Sequence, residues 1–149
     1  MSYEAGANKR ILLVAGDSHF RGMLRNFLAR YFVVDEAATA EEGLKRVSRG
    51  NPHDLAVVDM DLPQRSSLDF AAAARLVIPE LKVLLYTAFQ LDDHFAQLRR
   101  SRLYNVVIRG TPFDFDDFLL SVENLLYPDR AFGLRRYLRQ RNLQMPLDM

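Results

Sequence analysis

Three side chains with chemical potential stand at the ends of three apolar runs. Asp59 closes Leu55-Ala-Val-Val-Asp59, Thr87 follows Lys82-Val-Leu-Leu-Tyr86, and Arg109 closes Asn105-Val-Val-Ile-Arg109. A carboxylate at the tip of an apolar strand is costly to half-bury unless it has partners. A hydroxyl at Thr87 and a cation at Arg109 would supply them. The chemistry open to such a trio is that of a partnered, half-buried carboxylate. Asp61 adds a second acid two residues on, and Ala15-Gly16-Asp17-Ser18 follows a further run, Arg10-Ile-Leu-Leu-Val14.

The elements that would position these residues are legible as short β-type runs, each followed by a segment of helical period. Four of the five runs are near-continuous Val, Ile and Leu, the pattern of parallel strands buried on both faces. Phe32-Val-Val-Asp-Glu36 mixes in acids and reads as an edge strand. Helices are predicted over 18–31, 40–50, 68–77, 92–102 and 113–127. The first places Phe20, Met23, Leu24, Phe27 and Leu28 on one stripe. Thr39-Ala-Glu-Glu42 reads as a capping box, and the last helix turns Phe115, Phe118, Leu119, Val122, Leu125 and Leu126 inward.

Five alternating βα units imply right-handed crossovers and a doubly wound α/β sheet. The fold class is a flavodoxin-like (βα)5 three-layer sandwich with parallel order 2-1-3-4-5. Function in such a sheet sits beyond the carboxyl ends of the strands, where strand order reverses. That rule selects Ala15-Gly16-Asp17-Ser18, Asp59-Met60-Asp61, Thr87-Ala88 and Arg109-Gly110-Thr111-Pro112.

Composition bounds the rest. The 149 residues suffice for one sizeable core, and 49% apolar with 26% charged residues is ordinary for a globular chain. No apolar run approaches the roughly 20 residues that span a bilayer, and no secretory signal is visible at Met1-Ser2-Tyr3-Glu4. The absence of cysteine excludes disulfides and thiolate metal sites. A cytoplasmic location without membrane attachment is expected. Net charge is +1, split unevenly: residues 1–127 hold 15 basic against 17 acidic side chains, and 128–149 hold five Arg against two Asp. That basic end reads as an extra helix after Pro128, with Ala131, Leu134 and Leu138 at helical spacing. A domain over 8–127 followed by a basic helix or tail over 128–149 is the expected division. Without a basic surface on the body or a DNA-binding motif, nucleic acid is not an expected partner.

The motifs at the strand ends resemble those of the response-regulator receiver family, the phospho-accepting half of two-component signalling. Val57-Val-Asp-Met-Asp-Leu-Pro63 carries a Pro four residues after the acidic position, Leu84-Leu-Tyr-Thr-Ala88 ends the fourth strand, and Pro112-Phe113 opens the last helix. Arg21 sits where receivers often place an Arg in the first helix. The resemblance covers about residues 8–127. It implies that Asp59 accepts a phosphoryl group from a histidine kinase, assisted by Mg²⁺, and that the Thr87 hydroxyl turns toward that group. It matches Arg109 to the family's Lys at the end of the fifth strand, although Gly110-Thr111 separate it from Pro112. Another register places Thr111 there and removes the cation. Arg offers phosphate a two-pronged match but is not Lys in shape or hydration.

The departures from the family weigh as much. Receivers usually end the first strand in two adjacent acids that hold Mg²⁺, and here those positions are Ala15-Gly16. Asp59 is then the one sure carboxylate ligand, and Mg²⁺ is expected to bind weakly or not at all. Asp17 would reach the metal only if Gly16 adopted an unusual backbone, and its simpler role is to cap the first helix. Asp61 is a metal ligand, a restraint on attacking water, or a solvated loop acid. Val106 stands where many receivers carry an aromatic switch residue, and Ser66-Ser67 where Asp-Gly is common.

The resemblance implies a signalling module and not an enzyme, in one of two forms. One is a pseudo-receiver that acts mainly through protein–protein interaction, with impaired phosphorylation at Asp59. The other is a working phospho-acceptor. The partners implied are a histidine kinase or another signalling protein. A two-fold dimer is a further expectation, because Arg99, Arg100 and Arg102 on one element would oppose Asp114, Asp116 and Asp117 on another. Asp59-Met-Asp61 also matches the acidic signature of haloacid-dehalogenase-like phosphatases, but that family carries it on the first strand. His19, His53 and His94 read as surface residues, and the singly spread glycines make no phosphate loop.

Overall fold

The computed structural model describes residues 9–49, 52–62, 66–87, 104–109 and 114–128, with backbone alone at Ser66 and Val106–Arg109. The chain divides into two compact units, Met1–Asp114 and Phe115–Met149. The first holds β1 (Arg10–Val14), α1 (Ser18–Leu28), β2 (Val33–Ala37), α2 (Ala40–Val47), β3 (Leu55–Asp59), α3 (Ser66–Val77), β4 (Lys82–Thr87) and β5 (Val106–Arg109). In the second lies α4 (Phe115–Leu126).

The five strands form one parallel sheet in the order β2-β1-β3-β4-β5. β1 pairs with β2 on one side and β3 on the other, so strand order reverses at its carboxyl end. The expected flavodoxin-like order is therefore found, with β2 at the edge. The helix expected over 92–102 and the basic segment beyond Pro128 lie outside the described residues, as do Arg99, Arg100, Arg102 and His94.

Alternation along the strands builds the core. Leu12, Val14, Ala56, Val58, Val83 and Leu85 cluster with Val47 of α2 and Phe70, Ala71 and Ala74 of α3. Ile11, Leu13, Leu55, Val57 and Leu84 point to the opposite face and are also fully buried. Burial on both faces is what near-continuous apolar strands require. The helices α2 and α3 meet at Gly43, where an added Cβ would stand 2.8 Å from Phe70 Cε1 and 3.1 Å from Val14 Cγ2.

Local signals set the helix starts. The Asp17 carboxylate accepts from the amides of His19 (2.9 Å) and Phe20 (3.2 Å), which caps α1. Thr39 Oγ1 accepts from Glu42 N at 3.0 Å and caps α2. The stripe expected on α1 is narrower than its sequence pattern. Leu24 and Leu28 are buried, whereas Met23 is 43% exposed. Met23 lies about 120° around the helix from the Leu24–Leu28 centre, on the rim of the packed face.

A polar network ties the amino ends of β1, β2 and β3 and corrects the expectation for His53. This residue is only 3% exposed, and its Nε2 lies 2.7 Å from Asp35 Oδ2. Arg10 Nη2 donates to that same oxygen at 3.0 Å, and Arg10 N donates to Asp54 Oδ2 at 2.8 Å. A buried imidazole needs such a partner, and its partner sits on another strand. On the other face of β2, Glu36 receives Arg21 Nε at 3.3 Å and Arg25 Nε at 2.9 Å, which ties α1 to the edge strand. Arg75 of α3 donates to Leu81 O (3.1 Å) and Asn105 Oδ1 (2.8 Å), and that amide oxygen also receives Val83 N.

In α4, Phe118, Val122, Leu125 and Leu126 are buried, while Phe115 and Leu119 are half-buried. Asp116 and Asp117 are exposed in its first turn, where acids suit the positive end of the helix dipole.

Candidate functional site

β3 delivers Asp59 to the carboxyl edge of the sheet, beside the reversal point, and leaves it half-buried. The turn that follows is fastened to β4: Met60 N donates to Tyr86 O at 2.8 Å, and Leu62 N to Asp59 O at 3.4 Å. Leu62 is buried and anchors the turn. This geometry aims the amide of Asp61 back at Asp59 Oδ1, 2.8 Å away. The Asp61 carboxylate, exposed on its outer side, accepts from Thr87 Oγ1 at 3.2 and 3.3 Å. Thr87 itself is 3% exposed.

The electrostatics follow from this crowding. Burial raises the Asp59 pKa above its ordinary value. The Asp61 amide pulls it back, and the charges of Asp61 and Asp17 push it further up. Tyr86 pairs with Asp59 in the β3–β4 register and is nearly buried. Its ring lies 5.6 Å from that of Phe20. Burial, followed by the charges of Asp59, Asp61 and Asp17, raises its phenol far above the ordinary value, so it stays neutral.

Asp61 thus meets both Asp59 and Thr87, and the charge of Asp17 acts on Asp59, all within the first unit. Arg109 lies opposite Thr87 in the β4–β5 register, by backbone position. Asp114 is exposed. The three arginines expected to oppose Asp114, Asp116 and Asp117 lie outside the described residues. Tyr86 was missed by sequence reasoning, although its place immediately before Thr87, in a run otherwise aliphatic, was a usable signal. Arg21 takes a definite role, donating from Nη1 to Ala15 O at 2.8 Å where β1 ends.

The donor set for a magnesium ion is sparse. Ala15 is fully buried and Gly16 carries no side chain. The Asp17 carboxylate is engaged by two α1 amides. Gly16 does not take up the left-handed backbone that would swing Asp17 inward. Among the described residues no group of three or more His, Cys, Asp or Glu side chains is placed to hold a metal. Mg²⁺ demands an oxygen-rich octahedron, and among the described residues the end of β1 offers it neither of the two adjacent acids expected there.

The architecture has many relatives among solved structures. A receiver domain from Methanospirillum hungatei superposes with a TM-score of 0.73 at 24% identity, covering 85% of this chain and 99% of that one. The response regulator TrrA from Thermotoga maritima, solved in complex with Mg²⁺–BeF, superposes at 0.67 with 30% identity, covering 78% of this chain and 98% of that one. This chain carries a CheY-like receiver domain. Its sequence is also 31% identical over 88 residues to the photosynthetic apparatus regulatory protein RegA of Cereibacter sphaeroides, a match covering 58% of this chain and 47% of RegA. No family model matches the chain. Among the described residues of this receiver, no helix is long and apolar enough to cross a membrane.

Proposed function

We propose that this receiver is an atypical or pseudo-receiver of two-component signalling, acting mainly through protein–protein interaction, with magnesium-dependent phosphorylation at Asp59 impaired. The observation that carries this reading is the end of β1. Its two expected acids are a buried Ala15 and a side-chain-free Gly16, and the nearest replacement, Asp17, caps α1 through Oδ1. Two further acids near Asp59 add repulsion that a bound cation would otherwise offset. Titration of the full chain with MgCl₂ by calorimetry tests the reading. Weak or undetectable binding supports it, and tight binding would refute it.

A second reading, a working phospho-acceptor, draws support from Asp59 at the strand tip with a buried hydroxyl nearby. In that case an Asp59 carboxylate oxygen bonds to phosphorus as the P–N bond to a kinase histidine breaks, and the electron pair leaves with the imidazole nitrogen. Incubation with phosphoramidate followed by intact mass measurement separates the readings, because only the second expects a stable gain of one phosphoryl group.

A further inference from the structure

The turn after β3 brings a second carboxylate, that of Asp61, against the Thr87 hydroxyl. Thr87 is almost fully buried, and its hydroxyl donates to both oxygens of Asp61. Asp61 cannot drift far, because its own amide is bonded to Asp59 Oδ1 and the residues on either side are held by β4 and by the buried Leu62. One short turn thus links the acidic position, its neighbouring acid and the buried hydroxyl in a closed circuit. At 3.2 and 3.3 Å the shared bonds are long for O–H···O contacts, so the carboxylate can be displaced from Thr87 by a better acceptor.

We propose that Asp61 is an internal competitor for the subsite an anion on Asp59 would use. Its carboxylate holds the Thr87 hydroxyl while the domain is unmodified and must leave before Thr87 can engage that anion. The inference rests on the assignment of Asp59 and Thr87 as the acceptor and hydroxyl of a receiver. A phosphoryl group carries up to about two negative charges, so Asp61 opposes it by repulsion as well as by occupying its hydrogen-bond donor. Asp61 is therefore a positioning residue, acting through Thr87.

The test uses the full chain labelled at the threonine methyl groups, which number three: Thr39, Thr87 and Thr111. The probe is beryllofluoride in excess MgCl₂, with wild type compared against Asp61→Ala and Asp61→Asn. In Asp61→Ala the Thr87 methyl signal is expected to move in the unliganded protein, and beryllofluoride to bind at least about tenfold tighter, about 1.4 kcal/mol. Asp61→Asn, which keeps an acceptor but not the charge, should fall between. Adding Thr87→Val to Asp61→Ala should abolish the gain.

An unmoved Thr87 signal overturns the proposal. So does an affinity that fails to rise when wild type binds beryllofluoride measurably; when neither protein binds it, the Thr87 methyl shift alone decides. A gain that survives Thr87→Val also overturns it, since the effect would then be general charge relief. Magnesium affinity of the wild type is measured separately, so a tight metal site would sink the proposed function and leave the Thr87 result standing.

Discussion

Gly43 of α2 and Phe70 of α3 are in such close approach that any Cβ at position 43 would stand 2.8 Å from the Phe70 ring. Phe70 is fully buried, so the ring cannot move without disturbing the core. Ala is favoured over Gly inside a helix by about 1 kcal/mol, but overpacking a tight core costs about 1–3 kcal/mol. Gly43→Ala is expected to be net destabilising, by up to about 2 kcal/mol. Gly22 of α1 is the internal control, because nothing lies within 4 Å of its added Cβ. Gly22→Ala should stabilise by about 0.5–1 kcal/mol. Denaturant midpoints of the two variants, moving in opposite directions, check both.

The pH dependence of Asp59 has a definite sign. Its pKa is raised in the fold, chiefly by burial, so between the ordinary value near 3.8 and the raised value the native state binds more protons than the unfolded state. Stability from this group is present at low pH and is lost as pH rises through that window. In metal-free buffer, Asp59→Asn should exceed wild type in stability at pH 7, with the difference closing on acidification. Thermal unfolding from pH 4 to 8 reads it, and a difference that grows on acidification would contradict it.

Restoring a metal ligand is easier at one position than at its neighbour. A Cβ on Gly16 meets only ordinary contacts, Leu62 Cδ2 at 3.9 Å and Ala38 O at 4.0 Å. Ala15, by contrast, is fully buried, so an acid there would strand a charge. Gly16→Asp alone should raise Mg²⁺ affinity by about tenfold or more, whereas Ala15→Asp should lower stability. Calorimetry with MgCl₂ on both variants tells them apart.

Asp35 serves two donors at the far end of the sheet. Asp35→Ala removes the hydrogen-bond partner of buried His53 and of Arg10 and should cost about 1–3 kcal/mol. Glu41→Ala, which breaks an exposed pair with Lys45 at 3.9 Å, should change stability by less than about 0.5 kcal/mol. Denaturation of the two variants side by side measures the contrast.

The strands were legible because burial on both faces demands unbroken Val, Ile and Leu, a local property. β2 announced itself as the edge by its acids, which Arg10, Arg21 and Arg25 engage. The Asp17 cap was likewise local, with its carboxylate two and three residues from the amides it receives. What escaped the sequence lies in contacts between distant residues. His53 looked like a loop histidine because Asp35 is 18 residues away. Thr87 and Asp61 are 26 apart, so the hydroxyl's partner was invisible although both residues were singled out.

The edge strand carries a consequence for solution behaviour. Among the described residues β2 pairs only with β1, so its outer backbone groups are an open template for another strand. Its consecutive acids alternate between the faces, Asp35 toward Arg10 and His53, Glu36 toward Arg21 and Arg25. A strand docking there would meet guanidinium–carboxylate pairs above and below the sheet and would have to dehydrate them. The ion pairs that fasten α1 and β1 to β2 therefore also act as gatekeepers against edge-to-edge aggregation.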